Sequence, residues 1–154
     1  MARRLIIDTN LLLLLVIGAV EGGRHIHNSK RLGAYDITDY DAVLACMKKY
    51  KEVCITPYIA AEVSNLIDLD GHAGVLAYGI ARELFSCFKE IDTIINDDCE
   101  PDYFLRFGIT DSSLIRLAPG FDILTNDKRM LDMLFAASPN TIIPYEFIKQ
   151  VYLN

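Results

Sequence analysis

Near its start the chain reads LIIDTNLLLLLVIGAV, an apolar run interrupted by a single Asp-Thr-Asn triplet at positions 8–10. That interruption constrains the fold more than any other feature. Arg3 and Arg4 followed by leucines imitate the charged and apolar regions of an export signal, but such a signal needs its apolar region unbroken. The run that follows, residues 11–17, falls far short of the roughly 20 residues that cross a bilayer. The expectation is therefore a cytoplasmic protein without a membrane segment. In it, residues 5–7 form a strand, residues 8–10 a turn, and the leucines from position 11 a helix.

At 154 residues, with 52% hydrophobic and 23% charged side chains, the chain suits one domain over 1–154 with an ample core. Cys46, Cys54, Cys87 and Cys99 form no CxxC pair and have no histidine at finger spacing, which argues against zinc. The first three fall mid-helix or mid-strand and are expected to be small buried hydrophobes in a reducing compartment.

After Gly18, the glycines at 22 and 23 open a basic loop, GGRHIHNSKRLG, read as a long connector. Residues 36–50 read as a helix with Thr38 as N-cap. Residues 53–55 repeat the strand pattern, and Thr56-Pro57 offers an N-cap with proline in the first turn of a helix reaching to about 69. The stretch from Gly71 to Gly74 is expected to break the chain before a helix over 75–88. Residues 91–95 fit either a helix end or a short strand, residues 97–103 a helix entry, and Gly108 a stop. Then come a helix starting at Thr110-Asp111-Ser112-Ser113 and stopping at Pro119-Gly120, and a strand over 121–124. A helix over 130–135, a strand at 142–143 and a terminal helix over 145–152 complete the chain. Strands alternating with helices predict an α/β protein, a three-layer α/β/α sandwich around a parallel sheet. In such folds the ligand site lies beyond the carboxyl ends of the strands.

That rule draws attention to acids. Asp8 and Asp127 each follow a strand and should share one sheet edge. Asp111 lies in the first turn of its helix, where free N–H groups favour a carboxylate. Glu62 neighbours Ile59, Val63 and Leu66, so the helical spacing turns it toward the apolar side, where an unpaired carboxylate is costly. Individually, Asp8 and Asp111 also fit helix caps or first-turn charges, and Asp127 a helix start. Four carboxylates converging would repel one another unless a cation were present. All-oxygen ligands without His or Cys point to Mg²⁺ or Mn²⁺. Such a centre suits phosphodiester hydrolysis by an activated water.

Four stretches, LIIDTN around Asp8, ITPYIAAEVSNL around Glu62, GITDSSLIRLA around Asp111 and ILTNDKRML around Asp127, stand in an order that resembles the PIN-domain ribonucleases. The resemblance runs from about Leu5 to about Ile143. It implies an α/β/α sandwich and a metal-dependent nuclease cutting single-stranded or structured RNA, with Asp8, Glu62, Asp111 and Asp127 as acidic ligands. It also implies that Asn10 positions the first aspartate and that Thr125 supplies a hydroxyl at the end of the strand before the last acid. Many members are toxins held by an antitoxin protein, and others process RNA. The long basic loop and the helix from Asp36 depart from the smallest toxin-like members. A homodimer through helices between residues 36 and 88 is a further expectation from the family.

The net charge of −6 opposes nucleic-acid binding, which rests largely on phosphate neutralisation. Two divalent ions in the acidic site would raise it from −6 to −2. The loop gathers Arg24, His25, His27, Lys30 and Arg31 within eight residues; Arg24, Lys30 and Arg31 are the candidate phosphate contacts, against the alternative of a solvated connector. Lys48, Lys49, Lys51, Lys128 and Arg129 are further candidates. His25 and His27 lack a third partner for a metal. Tyr35, Tyr40 and Tyr58 read as packing residues, with base stacking as the alternative. A receiver or phosphatase would want an acid pair after the first strand and an adhesion-type site would want serines there, and Asp8-Thr9-Asn10 supplies neither. The rival from another class is a PIN-like module that binds RNA or protein without turnover.

Overall fold

The computed structural model describes residues 3–153. Five strands form one sheet in the order β3-β2-β1-β4-β5, every neighbouring pair parallel. They are β1 (Arg4–Ile7), β2 (Glu52–Ile55), β3 (Lys89–Glu90), β4 (Asp122–Thr125) and β5 (Ile142–Pro144). Parallel strands need crossovers, and the helices among the described residues supply them: α1 (Thr9–Gly18), α2 (Ile37–Lys48), α3 (Pro57–Leu66), α4 (Gly71–Cys87), α5 (Ile95–Cys99), α6 (Phe104–Leu117), α7 (Leu131–Ala137) and α8 (Tyr145–Leu153). The result is the three-layer α/β/α sandwich expected.

The leucine run of α1 is buried along its whole length apart from Asn10. It packs against α2, α3 and α4, so it is apolar all round because it is covered all round. Asp8 ends β1 in an extended conformation and accepts the Thr9 N–H, so the polar triplet is the N-terminal cap of α1. The helix begins at Thr9, earlier than the sequence suggests.

Three other boundaries differ from expectation. The N-cap of α2 is Asp36, whose carboxylate takes the N–H groups of Thr38 and Asp39 while the Asp39 side chain takes the Asp36 N–H. This reciprocal pair satisfies more free donors than Thr38 could from inside the helix. Helix α4 includes both glycines expected to break it. A Cβ at Gly74 would stand 2.4 Å from the Leu69 carbonyl oxygen, so glycine is what lets the preceding chain close over the first turn. Gly108 bends α6 instead of ending a helix: at φ 83° and ψ 178° it joins the turn at Phe104 to the regular helix that carries Asp111.

The basic loop keeps Arg24, His27, Lys30 and Arg31 exposed, as a solvated connector would, but it is also anchored in the core. It coils into two short 3₁₀ turns, Val20–Gly23 and Ile26–Asn28, and drives Ile26 and Leu32 fully into the core. Cys46 and Cys54 are buried as expected, but Cys87 is exposed at the end of α4, and all four cysteines are free thiols. No helix among the described residues is long and apolar enough to cross a membrane.

Candidate metal centre

The register of the sheet builds the site. Ile7 pairs with Leu124, so the residues that follow, Asp8 and Thr125, emerge side by side at the carboxyl edge, where the Asp8 N–H still bonds the Leu124 carbonyl at 2.9 Å. The chain leaves β1 for β2 and β3 on one side and returns to β4 on the other. The gap between the β1 and β4 ends is thus the switch point of the sheet, the place where crossovers diverge and leave a crevice.

Asp8 is only 8% exposed. One carboxylate oxygen takes the Thr9 N–H at 2.7 Å and the other takes the Thr125 hydroxyl at 2.6 Å. Burial pushes the Asp8 carboxyl above its usual range, those two hydrogen bonds pull it back, and the charges of Asp127 and Glu62 push it up further. Thr125, fully buried, also accepts the Asp127 N–H at 3.0 Å. Its hydroxyl therefore orients two acids at once, the place the resemblance implied for it.

A polar cavity of about 260 Å³ opens over these groups, lined by Asp8, Glu62, Asp111 and Asp127 together with Thr9, Asn10, Arg31, Phe107 and Arg129. A larger cavity of about 550 Å³ lies at the other end of the strands, beside Arg3, Tyr50, Lys51 and Asp122. It gathers none of the acids, so size is not what marks the site.

Asp111 reaches the cavity from α6 and is pushed up to about 7 by burial first, then by the charges of Asp8, Asp127 and Glu62, with Arg129 opposing. The Arg129 guanidinium stands 3.8 Å from Asp111 and 5.3 Å from the centre of the Phe107 ring, an exposed cation leaning on an aromatic face. Asp127 uses one oxygen to take the Arg129 N–H, so it also starts the turn before α7.

Glu62 departs from expectation. It is an exposed residue, while Ile59 and Val63 face inward fully buried. The helical spacing turned it toward the apolar side, but Glu62 stands at the edge of the buried stripe and lines the cavity. There its carboxylate takes the Thr9 hydroxyl at 3.0 Å.

Asn10 does not touch Asp8; its side-chain carbonyl accepts the Arg31 Nε–H at 3.3 Å. The reason is geometric: Asn10 is the one outward-facing residue of α1, whereas the Asp8 oxygens are already engaged. Of the three loop cations named as phosphate contacts, Arg31 lines the cavity and Arg24 and Lys30 do not. Arg24 pairs with Glu21 at 3.3 Å, and the Lys30 backbone is tied to Asp68 at 2.9 Å. His25 pairs with Glu21 as well. Tyr35 and Tyr40 are half-buried and pack against the core, whereas the half-buried Tyr58 donates its hydroxyl to Asp98.

The donor set is four carboxylates with neither thiol nor imidazole, the chemistry of hard divalent cations. Among the described residues, no three His, Cys, Asp or Glu side chains are grouped closely enough to hold one ion. The acids share a cavity without closing on a point, an arrangement that fits an ion keeping part of its water shell, as Mg²⁺ does with one or two carboxylates. No protein-family model matches the chain, and no curated protein matches it either.

Proposed function

We propose that the chain is a Mg²⁺- or Mn²⁺-dependent nuclease hydrolysing RNA phosphodiester bonds at the Asp8, Glu62, Asp111 and Asp127 cavity. The observation that carries this reading is the acidic cavity itself: four carboxylates line one pocket at the switch point of the sheet, where burial first and then repulsion from the other three raise Asp111 to about 7. A fold that tolerates such repulsion is best explained by a cation that relieves it. RNA as the substrate, and a toxin restrained by an antitoxin as one biological setting, rest on the resemblance to PIN-domain ribonucleases.

A divalent ion held by Asp8, Glu62, Asp111 and Asp127 would supply a water of lowered pKa and neutralise charge on the phosphoryl group. The protein's part is positioning. Thr125 and the Thr9 N–H fix both oxygens of Asp8, which lines the cavity. Thr9 holds Glu62 at the mouth. Arg31, steadied by Asn10, and Arg129, leaning on Phe107, are the cations that line the cavity; both suit phosphate oxygens.

The open spacing of the acids favours one second reading, a PIN-like module that binds RNA or protein without turnover. One experiment separates the two: Mn²⁺ calorimetry on the wild type and Asp8→Asn, with cleavage of single-stranded RNA assayed on the same samples. Metal binding and cleavage lost together in the variant support the nuclease. Binding without cleavage in the wild type supports the module, and no binding in the wild type reduces the acids to caps and surface charges.

A further inference from the structure

We infer that Asp98, which contacts none of the cavity acids, is a positioning residue that sets the separation of Glu62 from Asp111. This rests on the metal-centre reading above. Asp98 lies on α5 and is fully buried. Its two carboxylate oxygens are divided between two helices: one accepts the Tyr58 hydroxyl of α3 at 2.7 Å, and the other accepts the Arg116 Nε–H of α6 at 2.6 Å. Its backbone carbonyl accepts the buried Ser112 hydroxyl of α6 at 2.5 Å.

The spacing along each helix gives these bonds their meaning. Tyr58 is one turn before Glu62, and Ser112 is adjacent to Asp111. Residues four apart share a helix face, so the pull on Tyr58 acts on the turn that carries Glu62. Helices α3 and α6 belong to different crossovers, one following β2 and the other preceding β4. Hydrogen bonds from both ends to one carboxylate tie the two crossovers together. A buried ion pair of this kind adds little net stability over apolar packing, and its best-attested use is to fix one arrangement. Here the arrangement fixed is the width of the acidic cavity. With Asp8 and Asp127 already held by Thr125 at the sheet, Asp98 supplies the remaining constraint, on the two acids carried by helices.

The test uses Tyr58→Phe, which frees α3 from the Asp98 carboxylate, Ser112→Ala, which loosens α6 beside Asp111 while Arg116 still holds that helix, and the double variant. Mn²⁺ affinity is measured by calorimetry at a temperature where circular dichroism shows every variant folded. Each single change is expected to weaken Mn²⁺ binding ~10-fold, the scale for losing a group that orients metal ligands. The double variant is expected to lose much less than the product of the two, because both bonds constrain the same separation. Variants that melt earlier yet bind Mn²⁺ as tightly as the wild type would make Asp98 a purely structural clamp and overturn the proposal. A wild type that binds no Mn²⁺ at all would overturn the metal centre itself and this proposal with it.

Discussion

In metal-free buffer, Asp111→Asn is expected to make the protein more stable at pH 8 and no more stable near pH 4. Asp111 ordinarily titrates at 3.8 and in the fold titrates at about 7. The folded state therefore holds a proton that the unfolded chain has lost between these values, and stability falls as pH rises through that window. At ~1.4 kcal/mol per pH unit, keeping the carboxylate charged at pH 8 costs the folded protein ~4 kcal/mol. The side chain is only 18% exposed, so solvent screening removes little of this. The cost is nevertheless shared with Asp8, Asp127 and Glu62, and relieving one member of a coupled set recovers only part of it, ~2 kcal/mol. For a chain of this length that is a rise in Tm of ~4–8 °C. Thermal melts in chelator at closely spaced pH values between 4 and 8 read the difference between variant and wild type. Groups that shift the other way, such as Asp36 under the hydrogen bonds of its capping box, affect both proteins equally and cancel. Melting curves that run parallel across the whole range, or a variant less stable at pH 8, would refute the reasoning. Mn²⁺ at a hundred times its Kd should return ~2.7 kcal/mol to the wild type and less to the variant.

Thr125→Val, nearly isosteric, removes a donor to Asp8 and an acceptor for the Asp127 N–H. It should cost ~1–3 kcal/mol in urea denaturation and weaken Mn²⁺ binding ~10–100-fold; unchanged affinity would mean the hydroxyl orients nothing. Arg31→Gln and Arg129→Gln should each reduce the slope of log Kd for single-stranded RNA against log salt concentration by ~0.7. A slope unaltered in either variant would remove that arginine from the phosphate contacts.

How far the site could be read from the chain depended on how local each cause is. Asp8 and Asp127 were legible because each lies within two residues of the end of an apolar strand, and the strand order then brings them to one edge. The family resemblance assigned Asn10 to Asp8, but helix geometry at α1 turns it outward to Arg31. Glu62 shows the limit of periodicity: a spacing argument resolves the face of a helix to about a residue, and here that residue separates the core from the cavity mouth. Arg129 was noted only as one of several cations, and its pairing with Asp111 and Phe107 depends on α6 and the turn after β4 meeting in space. The same holds for Asp98, whose three partners lie 14, 18 and 40 residues away. Strand β3 is two residues long, too short to show any alternation. In the basic loop, Ile26 and Leu32 stand singly among polar neighbours, so nothing periodic announced that they are core.

The central position of β1 and α1 has a consequence for how the protein is made. β1 is flanked by β2 and β4, and β4 begins at Asp122. At a synthesis rate of ~5–20 residues per second, the leucines of α1 wait on the order of 5–20 s for the strand that completes their sheet. Through that interval the nascent chain presents the very pattern that resembles an export signal, with α2, α3 and α4 made but the β4 edge of β1 still open. What distinguishes it then is the charge of Asp8 at the head of the apolar segment, a gatekeeper position. The same aspartate that anchors the cavity of the folded protein thus interrupts the apolar segment of the unfinished chain.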